Sequence, residues 1–301
     1  MDGSSGGALV SVVVSTYRRD DALVRALTSL AAQVWRPLEI VVVDDNADEG
    51  WNARVSEICG FVECGEGCTL KRVMNGENLG SAGARNAGIL ASSGELVTFL
   101  DDDDEYLENK VADQVAFMLG RGLDYSITDL DLYHGDGRPA GRRIRSYITA
   151  HDEKSLLRWH LMHHMTGTDT LMFRREYLLK IGCFPPIDVG DEFYLMAEAI
   201  RGGGRFGYLP GCGVRAYLHG SEGGLSGGES KIAGENALFD YKKRFFPQLD
   251  GRAVRHIEMR HFAILAFAEL RRRRLPKALC YGARAFFAAP AGCIKLMMGN
   301  K

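Results

Sequence analysis

An α/β fold built on a mostly parallel sheet follows from three features of the sequence. Short β-branched runs alternate with stretches of helical period, the runs are largely apolar, and two of them stop abruptly at acidic residues. Uniformly apolar strands are covered on both faces, and β-α-β alternation implies parallel pairing through right-handed crossovers.

Each element can be justified in turn. "LVSVVV", residues 9–14, is the first strand. "STYRRDDALVRALTSLAAQ" changes period: Leu23, Leu27, Leu30 and Val34 recur at helical spacing, with Asp20 and Asp21 placed to cap the start. "LEIVVVDDNAD" is a second buried strand, a helix is expected around residues 81–92, and "ELVTFL" is a third strand that runs into "FLDDDDEYLENK". "NKVADQVAFMLG" reads as a helix ended by Gly120, "LDYSITDLDLY" as one or two strands, and "HGDGRPAG" as a turn. "SLLRWHLMHHM" is helical, "TDTLMFRREYLLKIG" a strand turning into a helix, and "GDEFYLMAEAIRGG" a helix ended by glycines. "RFGYLPGCGVRAYLHG" supplies a late strand or hairpin, and "GSEGGLSGGE" a mobile loop. The expected division is an α/β domain over residues 8–220, then the glycine-rich loop and a basic amphipathic helical region over residues 221–301.

With 301 residues, 46% of them hydrophobic and 25% charged, the chain has ample material for a core. Seven cysteines without paired spacing read as reduced thiols, and Cys59, Cys64 and Cys68 lack a nearby histidine to complete a zinc site. "MDGSSGG" lacks the regions of a signal peptide, and no apolar stretch approaches the ~18 residues of a membrane span, so a cytoplasmic location is expected. Residues 251–301 hold eleven Lys and Arg against Glu258 and Glu269. A basic, apolar tail of that kind can lie on anionic lipid at the cytoplasmic face of the inner membrane, or its helices can cap the preceding domain or form a homo-oligomer contact. Nucleic acid is not expected, because no stacking platform accompanies the charge.

Ligands of open α/β sheets bind beyond the carboxyl ends of strands, so Asp44, Asp45 and Asp101 to Asp104 should meet at one crevice. Adjacent carboxylates repel, and the run needs either free water or a cation. A solvated acidic turn is the ordinary reading of an isolated run; a strand end with a second acidic strand end beside it favours a cation. Asp101-x-Asp103 suits a divalent ion with oxygen ligands, Mg²⁺ or Mn²⁺. An EF-hand is excluded, since Tyr106 and Ala112 stand where glycine and glutamate are needed. Gly80 and Gly83 precede Arg85 at a helix start, in a pattern that is neither a P-loop nor a dinucleotide fingerprint.

The segments "VSVVVSTYRR", "VVVDDNAD", "NLGSAGARNAGI", "FLDDDDEYLENK", "LMFRREYLLKIGCF" and "GDEFYLMAEA" resemble, in their order and spacing, family 2 glycosyltransferases of the GT-A fold. The resemblance covers roughly residues 8–220 and implies an inverting, metal-dependent transfer of a sugar from a nucleotide-sugar donor, usually a UDP-sugar, to a glycan or lipid-linked acceptor. It places Asp45 on the nucleotide base with Asp44 beside it, Thr16 and Tyr17 along base and ribose, and Arg85 by the nucleotide cleft. Asp101 and Asp102 face the nucleotide sugar. Asp103 is the expected ligand of Mn²⁺ or Mg²⁺, joined by Asp104, with Asp102 standing where the family often has a small residue. Asp191 takes the place of the catalytic carboxylate, Glu192 is its alternate, and Gly190 departs from the usual Glu. His219 is where related enzymes often place a histidine over the diphosphate, so it is read as a metal or phosphate contact; His163 and His164 are read as lining. The setting implied is bacterial cell-surface polysaccharide or lipopolysaccharide assembly. Two other readings stand beside this one: a noncatalytic nucleotide-sugar or glycan-binding module, which Gly190 keeps open, and a sugar nucleotidyltransferase, whose glycine-rich basic N-terminal loop is missing from "STYRRDD".

Overall fold

Strand β1 (Val10–Thr16) is buried at every residue but Ser15, and helix α1 (Asp21–Ala31) lays Leu23, Ala26, Leu27 and Leu30 into the core. Strand β2 (Leu38–Asp44) is buried throughout and pairs in parallel with β1, from Val10 opposite Leu38 to Thr16 opposite Asp44. Helix α2 (Glu49–Phe61) and strand β3 (Cys68–Met74) follow, and β3 pairs in parallel with β2 at the edge. Asp20 heads α1 without capping it, because its carboxylate takes the Arg54 guanidinium of α2 at 2.7 Å. The structure is a computed structural model that describes residues 7–187, 189–218 and 229–297.

Helix α3 (Gly80–Ala91) leads to strand β4 (Leu96–Phe99), which pairs in parallel with the other side of β1. Gly88 lets α3 lie directly on the sheet: a Cβ there would stand 2.3 Å from Val13 Cγ1 and 2.9 Å from Val43 Cγ2. A short strand β5 (Glu105–Tyr106) then precedes helix α4 (Lys110–Arg121). That helix ends two residues beyond the expected glycine, at Gly122, whose left-handed φ of 60° allows the Gly122 and Leu123 N–H groups to close on the last carbonyls.

Strands β6 (Tyr125–His134) and β7 (Pro139–Arg143) pair antiparallel around the turn expected at "HGDGRPAG". Helix α5 (Glu153–His163) follows, then a 3₁₀ turn at Thr168–Thr170, strand β8 (Met172–Arg174), helices α6 (Arg175–Lys180) and α7 (Asp191–Arg201), and strand β9 (Phe206–Leu218). The late segment is thus one strand, parallel to β6, with its register shifted near Asp129. Among the described residues the sheet runs β3-β2-β1-β4-β8-β6-β9-β5, with β7 on β6. Strand order reverses between β1 and β4, and a reversal of this kind opens a crevice at the carboxyl ends of the two strands.

The chain divides into two compact units, Met1–Glu153 with Thr166–Leu218, and Lys154–Met165 with His219–Lys301. The second contains helices α8 (Glu229–Lys243), α9 (Gly251–Arg271), α10 (Leu275–Ala288) and α11 (Pro290–Met297). Asp250 caps α9 by accepting the Arg252 and Ala253 N–H groups at 2.9 Å, and Met259, Ala263, Ala285 and Cys293 form the small core beneath. All seven cysteines are unpaired. No helix among the described residues is long and apolar enough to cross a membrane.

Candidate active site

The tips of β1, β2 and β4 are stitched together by the loop after β1. The Thr16 carbonyl accepts the Asp45 N–H at 3.0 Å, and the Arg18 N–H reaches Asn46 Oδ1 at 2.7 Å. Arg19 crosses to the other side, with Nη2 2.8 Å from Asp103 Oδ2 and Nε 3.5 Å from Asp102 Oδ1. Asp45 and Asp103, 58 positions apart in sequence, therefore flank one short loop at the reversal in strand order. Tyr17 stands on that loop with its ring half exposed.

The two aspartates at the carboxyl end of β2 have distinct tasks. Asp44 is fully buried; its Oδ1 accepts the Asn46 N–H and Nδ2–H, and Arg72 of β3 approaches its Oδ2 at 3.6 Å. Asp45 holds the start of α3, accepting Asn75 Nδ2–H at 2.8 Å, Leu79 N–H at 2.9 Å and Gly80 N–H at 3.0 Å. A carboxylate at a helix N-terminus satisfies orphan donors and complements the dipole.

One turn into that helix, Arg85 joins two carboxylates distant in sequence. Its Nη2 donates to Asp101 Oδ1 at 2.7 Å and its Nη1 to Asp191 Oδ2 at 2.8 Å, while Ser81 Oγ bonds both Arg85 and Asp191. The guanidinium is nearly buried and stays charged between its partners. Asp191 opens α7 with 5% of its surface exposed; burial pushes its carboxyl up to about 7, against the opposing pull of Arg85. The residue before it, Gly190, has a left-handed φ of 79°, so glycine suits the turn that aims Asp191 and a glutamate there would be strained. Asn86 fixes the approach to this turn: its Nδ2 donates to the Phe184 carbonyl at 2.8 Å and its Oδ1 accepts the Phe184 N–H at 3.0 Å.

The acidic run separates into differently occupied groups. Asp102 is buried and pushed up to about 7 by that burial and by Asp103. Asp104 is also buried; it accepts the Tyr217 N–H at 2.8 Å, and burial with the charge of Asp169 beside it pushes its carboxyl well above the usual carboxylate range. Asp169, from the 3₁₀ turn, accepts the Asp101 N–H at 2.7 Å and is itself pushed up to about 7 by burial. Oxygens of Asp101, Asp104 and Asp169 all lie within 4.8 Å of one another, the single such group among the described residues with the arrangement to hold a metal ion. All three are carboxylates, the donor type that Mn²⁺ and Mg²⁺ favour. Below them Lys110 Nζ donates to Thr98 Oγ1 at 2.8 Å and Tyr106 Oη at 2.7 Å, and burial holds the amine well below its ordinary range.

Thr16, Tyr17, Asp44, Asp45, Arg85, Asp101 to Asp104 and Asp191 thus share one edge of the first unit. Glu192, next to Asp191, follows it into α7 and donates its N–H to Asp191 Oδ1. The structure groups Asp104 with Asp101 and Asp169, and turns Asp103 to Arg19. His219 lies outside the described residues, as does the expected glycine-rich loop "GSEGGLSGGE" up to residue 228; its last residue, Glu229, opens α8. His163 and His164 belong to the second unit, where the His163 ring lies 4.9 Å from that of His256. Asp169, Arg19 and Asn86 were not foreseen. Arg19 looks like a helix flank in "YRRDD", and only Asn86, beside Arg85 in "ARN", had a sequence signal that could have found it.

Comparison with known proteins bears on the family and the fold. The signature of glycosyl transferase family 2 matches residues 11–182. The succinoglycan biosynthesis protein ExoO of Rhizobium meliloti is 27% identical over 90% of this chain and 80% of its own length. WfgD of Escherichia coli, a UDP-Glc:α-D-GlcNAc-diphosphoundecaprenol β-1,3-glucosyltransferase, is 25% identical over 42% of this chain, which spans about half of that protein, 48%. The mannosyltransferase PcManGT of Pyrobaculum calidifontis, solved with GDP-Man and Mn²⁺, aligns over 98% of this chain and 80% of its own at a TM-score of 0.63 and 19% identity.

Proposed function

The chain belongs to glycosyl transferase family 2 and has the GT-A fold, and on that premise we propose that it moves a sugar with inversion from a UDP-sugar to a glycan or lipid-linked acceptor during assembly of a bacterial surface polysaccharide. The Arg85 bridge between Asp101 and Asp191 carries this reading. It sets the acidic strand end that would face the donor diphosphate beside a carboxylate able to serve the acceptor. The UDP-Glc and diphosphoundecaprenol in WfgD's name support the donor and acceptor classes, and ExoO's succinoglycan supports the setting.

Asp191 accepts the proton of the acceptor hydroxyl as that oxygen attacks the anomeric carbon and the bond to the diphosphate breaks. Arg85 holds Asp191 in place, and Asp45 with Tyr17 presents the surface for base and ribose. A divalent cation, Mn²⁺ or Mg²⁺, at Asp101 with Asp103, or with Asp104 and Asp169, would neutralise charge on the leaving diphosphate.

The test is a thermal-shift series of nucleotide sugars with and without Mn²⁺. At a hundredfold excess over Kd, a bound donor stabilises by about 2.7 kcal/mol. A UDP-sugar with Mn²⁺ should therefore raise Tm by several degrees. Equal, negligible shifts for every UDP- and GDP-sugar with a folded protein would reject the proposal.

Asn86 acts on the reaction through the segment that carries Asp191. Asn86→Ala should lower kcat on the order of tenfold to a hundredfold by loosening that segment, while KM for the donor stays within about twofold. Steady-state kinetics checks this, and a loss confined to KM would assign Asn86 to donor binding instead.

A further inference from the structure

Helix α10 has its apolar side turned outward. Leu279 and Phe287 are 74% and 81% exposed, and Leu275 and Phe286 stand on the same arc, whereas the residues it buries are the small Ala278 and Ala285. A surface helix ordinarily does the reverse and sinks its largest apolar side chains. On α11, Ile294 and Leu296 extend the exposed apolar set. Scattered surface leucines need no explanation, but a contiguous patch of Leu and Phe marks a surface that meets something.

The charge around the patch says what. Residues 271–297 hold seven Lys and Arg and no Asp or Glu. Arg271, Arg273, Lys277 and Lys295 are exposed, and Arg284 lies over the Phe262 ring at 3.9 Å on the border of the apolar arc. An apolar face rimmed by cations matches the boundary between acyl chains and anionic headgroups. A second copy of this chain matches poorly, because a two-fold contact brings the same patch of each copy together and would set these cations against one another.

We propose that α10 and α11 dock on an anionic lipid bilayer, with Leu275, Leu279, Phe286 and Phe287 entering the headgroup boundary and the flanking Arg and Lys side chains on lipid phosphates. This does not depend on the transfer reaction. The full chain is floated with vesicles of phosphatidylcholine alone and of phosphatidylcholine mixed with phosphatidylglycerol, at low and high salt. Binding is expected to the mixed vesicles and to weaken with salt. Arg271→Ser combined with Arg273→Ser should weaken partition about 30-fold. Leu279→Asp combined with Phe287→Asp should weaken it about a hundredfold or more. Phe61→Asp, which replaces a residue 74% exposed on the first unit, should leave it unchanged. Circular dichroism confirms that each variant is folded, and the arginine pair carries the test if the apolar pair is not. The proposal is overturned by equal binding to neutral and anionic vesicles, by no binding to either, or by an equal loss in Phe61→Asp. A dimer in light scattering that Leu279→Asp with Phe287→Asp splits into monomers, without vesicle binding, would overturn it in favour of a second copy.

Discussion

Asp191→Asn should lower kcat for sugar transfer by about 10²- to 10⁴-fold, the contribution expected of a positioned general base. Asparagine keeps the shape of the side chain and an oxygen for Arg85 Nη1, so the bridge to Asp101 persists and donor binding should change little. The wild-type pH profile gives an independent check. Asp191 must be unprotonated to accept a proton, and burial holds it near 7, so kcat/KM should climb with pH below about 7 and level off above. Quantifying UDP release across pH tests both expectations. More than a tenth of wild-type activity in Asp191→Asn, or a flat profile, would move the role to Glu192, for which Glu192→Gln is the companion. Donor binding without turnover in the wild type would instead favour a binding module.

Asp101→Asn should abolish the Mn²⁺-dependent part of the thermal shift and lower transfer by about 10³-fold, the scale of several kcal/mol of charge stabilisation. Asp101 belongs both to the Asp101-x-Asp103 pair and to the group with Asp104 and Asp169, so its loss impairs either arrangement. Asp103→Asn and Asp169→Asn then separate them. Asp103 bears the Arg19 guanidinium at 2.8 Å, a positive charge already placed at the acidic tip, whereas Asp169 bonds the Asp101 N–H and Asp104. Chelation with EDTA should remove activity and added Mn²⁺ restore it. Full activity in EDTA would exclude a metal-dependent reaction.

The strand ends of the site were legible because a buried parallel strand leaves a plain trace. The runs before Asp44 and Asp101, "IVVV" and "LVTFL", are apolar but for Thr98, and a carboxylate directly after such a run lies at its tip. Strand β3 left no such trace. It is an edge strand in which Lys71 is half-buried and Arg72 exposed, so its composition resembles a loop. Asp169 was hidden for another reason: nothing in "TGTDT" reveals that a 3₁₀ turn will carry it under Asp101. Asp20 shows the limit of local rules, since it precedes a helix as a cap should but satisfies Arg54 instead. The likeness of the whole arrangement to family 2 was visible because its segments keep their order, while pairings such as Asn86 with Phe184 span 98 residues.

Gly88 has a bearing on how variation in this protein should be interpreted. It carries no functional group and sits a turn away from Arg85, yet the contact it permits with Val13 and Val43 fixes the height of the helix that delivers the guanidinium. A methyl group at that position would act as a shim, tilting the bridge to Asp101 and Asp191 without touching either. Surveys confined to polar side chains would overlook it, and the alignment of the two carboxylates depends on an atom that is not there.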